Sequence, residues 1–241
     1  MQINLKNFML KKIFKKICPP LFIDFFLSIK SLYNNQKYYI NKNPINQSLA
    51  VYSSSKMAND LEIWGEKSTW IEIQYLLHGK KNKVLDVACG TGIVMEILSK
   101  NNHNDVYGCD ISEYLIQKAI KRGIRKENLL VCNAEQLPYE DNFFDYCYSI
   151  GSLEHFTEEG LKNFFKSAYR VTKYDGFHMI PVSKSGLDEG WIYDKVSRQS
   201  FFNNSVSWWK EKLRNFYKKT TVIQSTWRSD ISDGIWLITS K

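Results

Sequence analysis

Asp86, Gly90 and Gly92 stand in one short run, VLDVACGTG, residues 84–92. An apolar stretch with an acid inside it breaks into two glycines one residue apart. A buried strand ends this way where a ligand must lie against the backbone of the following turn. Another acid, Asp110, follows Gly92 by eighteen residues and ends the run VYGCD. A carboxylate at the C-terminal end of a strand is placed to accept both hydroxyls of a ribose. Asn133-Ala134-Glu135 ends a third run with polarity that suits an adenine amino group, and SIGSLEHF ends a fourth. The chemistry these residues suggest is nucleoside binding along one sheet edge. A dinucleotide fingerprint needs a glycine three residues after Gly92, where Met95 stands, which speaks against a nicotinamide oxidoreductase.

The elements that must position these groups alternate. Strands are expected at 83–88, 106–110, 129–133, 144–150 and 176–182, with helices at 91–100, 112–122 and 158–172 between them. Such alternation means parallel strands with crossover helices on both faces, an α/β fold. A turn and an amphipathic helix are expected over 59–78, a helix over 204–219, and two closing strands at 220–227 and 234–241. Residues 34–56, rich in Asn, Lys and Ser, read as a linker, and 183–191 as a mobile polar loop.

The net charge of +8 is localised. Residues 1–43 hold eight lysines against Asp24, whereas 44–241 sum to +1, so the main body lacks a broad phosphate-binding footprint and no nucleic-acid partner is expected. Residues 6–17 set Leu10, Ile13, Phe14 and Ile17 on one helical face and Lys11, Lys12, Lys15 and Lys16 on the other. The apolar stretch after Pro20 is too short to span a bilayer, and no secretory cleavage pattern follows it. Residues 1–34 are read either as a helical pair packed on the domain or on a second copy, or as a basic anchor at the inner face of an anionic membrane. The five cysteines show no CxxC pairing and read as reduced thiols of a cytoplasmic protein. The four histidines have no metal-ligand spacing, so no metal is expected. With 241 residues, one domain plus an appendage is expected, divided at about residue 58.

VLDVACGTG, GCDIS, NAEQLPYEDNFFDYCYSIGSLEHF and AYRVTKYDGFHMI, taken together, resemble the successive motifs of class I S-adenosylmethionine-dependent methyltransferases of the type 11 kind. The resemblance covers about residues 60–241. The NDLEIWGEKSTW approach and the SLEHF and HMIPVSKSG segments further resemble bacterial methyltransferases of surface-polysaccharide gene clusters.

The resemblance implies a Rossmann-like fold: a mostly parallel seven-stranded sheet with an antiparallel C-terminal strand and helices on both faces. It implies S-adenosylmethionine as cofactor. Asp86, Ala88, Gly90 and Gly92 would hold the methionine moiety with Ile150 and Gly151, Asp110 the ribose, Ile111 the adenine, and Asn133 and Ala134 a position where Asp-Ala is commoner. The acceptor would be an oxygen or nitrogen of a small molecule or glycan precursor, as in capsule or lipopolysaccharide modification. His155 follows the fourth strand closely and is the candidate general base, with Glu154 orienting it or binding the acceptor. The other reading of His155 is a helix cap or a packed histidine. His178, in an apolar strand, reads as packing. Trp64, Glu66, Trp70 and Trp191 lie outside the strand–helix motifs, as a cover or acceptor pocket (Trp64, Glu66 and Trp191 as its contacts) or as plain packing. A cofactor-binding scaffold without turnover and an RNA methyltransferase are the remaining alternatives.

Overall fold

The computed structural model describes residues 37–40, 44, 48–80, 82–102 and 104–241. Its strands are β1 (Tyr38–Ile40), β2 (Lys83–Val87), β3 (Asp105–Asp110), β4 (Leu129–Val131), β5 (Tyr146–Ile150), β6 (Asp175–Ser183), β7 (Trp191–Asp194), β8 (Gln199–Phe202), β9 (Lys219–Arg228) and β10 (Ser232–Ser240). The helices are α1 (Ser55–Leu61), α2 (Thr69–Leu76), α3 (Ile93–Asn101), α4 (Glu113–Lys121), α5 (Glu158–Val171) and α6 (Val206–Leu213).

Seven strands form the main sheet in the order β4-β3-β2-β5-β6-β10-β9. β2, β3, β4, β5 and β6 pair in parallel, and β10 runs antiparallel to both β6 and β9. This is the Rossmann-like arrangement the resemblance implied. Burial on both faces explains why these strands read as unbroken apolar runs: Val84, Leu85 and Val87 are fully buried. One core packs Phe164, Phe165, Trp209 and Leu213 on one side of the sheet. The other packs Ile73, Leu77, Met95 and Leu98.

Helix α5 shows how sequence sets an element. Thr157 caps it by accepting the Gly160 N–H at 3.2 Å, Glu158 and Glu159 face the positive end of its dipole, and Leu161, Phe164, Phe165, Ala168 and Val171 bury one face. Burying a Phe or Leu fully contributes about 1.5–3 kcal/mol.

β7 and β8 form a hairpin after β6, and β1 adds to its edge with Tyr39 opposite Tyr193. Three expectations change here. The linker over 34–56 contains strand β1, a 3-10 turn at Leu49–Ser53 and the start of α1, and the expected division at residue 58 falls inside α1. The expected loop over 183–191 ends where β7 begins, and Trp191 is 2% exposed, packed on Phe202 with ring centroids 4.7 Å apart. Partners far along the chain supply these pairings, which no local pattern records. The helix expected over 59–78 is likewise split. Gly65 interrupts it, and its carbonyl accepts the N–H groups of Ser68 and Trp70. Trp70 lies in the core, not at an edge.

Cys89, Cys109 and Cys147 are buried free thiols and Cys132 is half-buried. Cys18 and the arm of residues 1–34 lie outside the described residues. Among the described residues, no helix is long and apolar enough to cross a membrane.

Glu72 of α2 fastens the N-terminal half to the last two strands. Its carboxylate accepts from Ser225 Oγ at 2.7 Å, Thr226 N at 2.6 Å, Thr226 Oγ1 at 2.6 Å and Trp236 Nε1 at 2.7 Å. Burial raises its pKa, but these donors outweigh burial and leave it lowered. Glu72→Ala should cost about 1–2 kcal/mol in urea unfolding at pH 7. A lowered carboxylate stabilises above its unfolded pKa and loses that contribution as pH falls through the folded value. The gap to wild type should therefore close below about pH 4.

Candidate functional site

Three loops leave the C-terminal ends of β2, β3 and β5, and the acids singled out in the sequence lie in or beside them. After β2 the chain passes through left-handed backbone at Ala88 (φ 64°), Gly90 (φ 54°) and Gly92 (φ 75°). Glycine is required at 92 for space as well, because a Cβ there would lie 2.9 Å from Ala119 Cβ. Ala88 has no such freedom and holds strain of about 1–2 kcal/mol.

This turn delivers the Gly90 N–H to Asp110 Oδ2 at 2.9 Å, while Asp110 Oδ1 accepts the Ser112 N–H at 2.8 Å. Two backbone donors thus fix the Asp110 carboxylate, and each oxygen keeps a lone pair for another donor. Burial raises the Asp110 pKa, opposed by the Ser112 and Gly90 N–H groups. Asp86, inside β2, accepts from Tyr148 Oη at 2.7 Å. Burial pushes Asp86 up to about 8, against the Tyr148 hydrogen bond and with the Asp110 charge adding to the rise.

Glu154 and His155 lie in the 3-10 turn Leu153–His155 after β5. The Glu154 side chain is buried, its Oε2 has no hydrogen-bond partner, and burial pushes its carboxyl up to about 8. His155 Nδ1 is 2.7 Å from the Ser200 carbonyl on β8. A carbonyl only accepts, so Nδ1 carries the proton and Nε2 is the basic nitrogen, 3.9 Å from Glu154 Oε1. Burial lowers the His155 pKa, partly offset by Ser200, so the ring is neutral near pH 7.

No lysine or arginine lies within ion-pair distance of Asp86, Asp110 or Glu154 among the described residues. Thr91 Oγ1 and Ser152 Oγ, on the same edge, are also buried without partners. A strand edge with three buried carboxyls and unpaired hydroxyls is suited to a ligand bearing positive charge and hydrogen-bond donors.

Ile111 is 41% exposed and borders a cavity of about 460 Å³ with Leu49, Ser53, Ser112, Tyr114 and Gln117. Ile150 ends β5, and Gly151 follows at φ 63°. Asn133 Oδ1 accepts the Glu135 N–H at 3.0 Å and so caps its own turn, while Ala134 is buried in the core.

The segment before α2 crosses this edge. The Tyr52 carbonyl accepts from Ser112 Oγ at 2.9 Å. Its phenol is pushed up to about 12 by burial, opposed by a hydrogen bond with Gln199 and reinforced by the charges of Asp110 and Glu154. Leu61 Cδ1 sits 3.1 Å from where a Gly90 Cβ would stand, and Trp64 covers Gly151, whose Cβ would lie 2.8 Å from the indole. Trp64 also packs on Trp227 at 5.4 Å. Glu66 is exposed on the turn after α1. Trp191 is in the core as described above. His178 Nδ1 lies 2.9 Å from Ser149 Oγ in full burial, which pushes it down to about 3.

Sequence reading missed Tyr52, Tyr148 and Arg122, which all touch this edge. Tyr52 fell in the stretch read as linker, and nothing local marks the others. Among the described residues no three His, Cys, Asp or Glu side chains group closely enough to hold a metal ion.

Residues 85–180 match the family described as a methyltransferase domain. Demethylmenaquinone methyltransferase of Geobacillus stearothermophilus is 38% identical over 162 residues, 57% of this chain and 65% of that protein. The tRNA (carboxymethyluridine(34)-5-O)-methyltransferase of Arabidopsis thaliana is 32% identical over 157 residues, 64% of this chain and 35% of that protein. The chain spans about half the length or less of several curated relatives it matches. In fold it is similar to 1,6-didemethyltoxoflavin-N1-methyltransferase of Burkholderia thailandensis, solved with bound 1,6-didemethyltoxoflavin and S-adenosylhomocysteine. That likeness has a TM-score of 0.61 at 16% identity and covers 84% of this chain and 97% of that one.

Gly92→Ala should lower unfolding stability by about 1–3 kcal/mol, from both the left-handed backbone and the Ala119 clash. Ala88→Gly should leave stability equal or raise it by up to about 1 kcal/mol, since it removes strain. Urea melts of the two variants beside wild type read both effects.

Proposed function

We propose that this chain, which carries a class I S-adenosylmethionine-dependent methyltransferase domain, transfers a methyl group from S-adenosylmethionine to an oxygen or nitrogen of a small-molecule acceptor. The observation that carries this is the edge of β2, β3 and β5. Asp86, Asp110 and Glu154 are buried at this edge with no lysine or arginine paired to them among the described residues. Hydroxyl and ammonium donors on one ligand answer these unpaired oxygens. Asp110 is fixed to accept from ribose hydroxyls, with Ile111 beside the adenine and Asn133 and Ala134 on the same edge. Asp86, Ala88, Gly90, Gly92, Ile150 and Gly151 border the methionine part.

When bound, the cofactor supplies an electrophilic methyl group on sulfur. His155 receives the acceptor's proton at Nε2, a role worth about 10²–10⁴-fold in rate. The Ser200 carbonyl holds the ring in the tautomer that leaves Nε2 basic. Glu154, neutral below about pH 8, offers an acid O–H to the acceptor. Trp64 and Tyr52 cover the edge and exclude water. Glycan precursors are the acceptors favoured by the resemblance to surface-polysaccharide methyltransferases. The excess of lysine in residues 1–34 suits an anionic membrane surface, where such precursors are built. A tRNA acceptor has relatives on its side, but residues 44–241, near neutral in net charge, give it no broad electrostatic support.

Calorimetric titration with S-adenosylmethionine should show micromolar binding that Asp110→Ala abolishes; a wild type that gives no heat refutes the reading. With an acceptor in hand, His155→Ala should lose about 10²–10⁴-fold in kcat. The wild-type rate should hold as pH falls through about 6.5, because the His155 pKa is lowered, and should change as pH rises through about 8, where Glu154 ionises. Glu154→Gln, which copies the neutral acid, should remove the Glu154 share of the inflection near pH 8 and leave that of Asp86.

A further inference from the structure

Arg122, the residue that ends α4, reaches three different elements. Its Nε–H donates to the Thr91 carbonyl at 3.0 Å, one guanidinium nitrogen meets Glu96 Oε2 of α3 at 3.0 Å, and the other donates to Glu62 at the end of α1. Only 19% of the side chain is exposed. The Thr91 carbonyl belongs to the glycine turn itself, between Gly90 and Gly92. Glu62 belongs to the covering segment, next to Leu61 and two residues before Trp64. One planar fork therefore grips the turn and the cover together, in a geometry a lysine cannot reproduce.

From these contacts we infer that Arg122 is a positioning residue: through Glu62 it clips the segment of residues 52–64 down over the glycine turn, and the clip sets how long the cofactor stays bound. The inference rests on the reading that this turn holds S-adenosylmethionine. Glu62 and Glu96 separate its two functions. Both are carboxylates on the same guanidinium, yet Glu62 anchors the cover and Glu96 anchors only α3, where Lys100 also engages it at 2.6 Å. A merely structural cation would register the loss of either partner alike.

The test compares Glu62→Gln with Glu96→Gln in the full chain. In the ligand-free protein, amide hydrogen exchange over residues 55–66 should run about two- to fivefold faster in Glu62→Gln, the range expected for a partly exposed ion pair. It should stay at the wild-type rate in Glu96→Gln. S-adenosylhomocysteine, followed by tryptophan fluorescence in stopped flow, should leave Glu62→Gln faster by a similar factor. It should leave faster still from Arg122→Lys, while the urea midpoint of Glu62→Gln matches wild type. Exchange over 55–66 equal in Glu62→Gln and wild type overturns the clip, whatever the protein binds. So does an equal acceleration in Glu96→Gln, which would mark general loosening. A wild type that does not bind S-adenosylhomocysteine overturns the reading of the site, and the retention role with it, while the exchange data still decide the contact.

Discussion

The carboxylate of Asp110 is the constraint on which the edge depends. It ends β3, yet its Oδ2 is bound to the backbone of Gly90 in the turn that ends β2. Adjacent parallel strands fix the spacing of those two loops, since Asp86 sits opposite Gly108. The hydrogen bond then fixes the conformation of the glycine turn. Once that turn is set, Gly92 starts α3 and Thr91 presents its carbonyl to Arg122. The second oxygen of Asp110 starts α4 through the Ser112 N–H, and Ser112 Oγ holds Tyr52 in turn. One side chain therefore orders two loops, two helix starts and part of the cover.

That edge is built at the expense of stability. Asp86 and Glu154 are driven up to about 8 by burial, Ala88 holds left-handed backbone, and the hydroxyls of Thr91 and Ser152 are buried unpaired. A carboxyl with a raised pKa favours folding only while protonated, so both acids weaken the fold increasingly as pH rises toward their folded values. The two apolar layers on either side of the sheet offset this. Phe164, Phe165, Leu85, Met95 and Leu98 are fully buried where no functional group intrudes. Strain and charge are confined to the loops, and the packing that tolerates them lies beneath.

What the sequence reveals and what it conceals divide along a physical line. Strand β2, its glycine turn and Asp110 are legible because a doubly buried strand must be apolar and a turn with positive φ must be glycine-rich. Those demands are local. The acids at successive strand ends are legible because parallel strands bring their C-terminal ends together. Tyr52, Arg122 and β1 are not legible, because each is defined by a partner elsewhere: Ser112, Glu62 and β7. Trp191 shows the reverse error, since a tryptophan after a polar glycine-rich loop looks like a surface aromatic until Phe202 is placed against it. Asn133 has a second role that no local pattern announces, since its Oδ1 also caps its own turn.

The pairing of β1 with β7 has a consequence for synthesis on the ribosome. Tyr39 meets Tyr193, and Glu72 meets Thr226 and Trp236, so β1 and α2, on either side of the cover, find these partners far along the chain. The parallel strands β2 to β6 are complete before those partners emerge. The ligand edge is thus assembled first, and the elements flanking its cover are fastened afterwards.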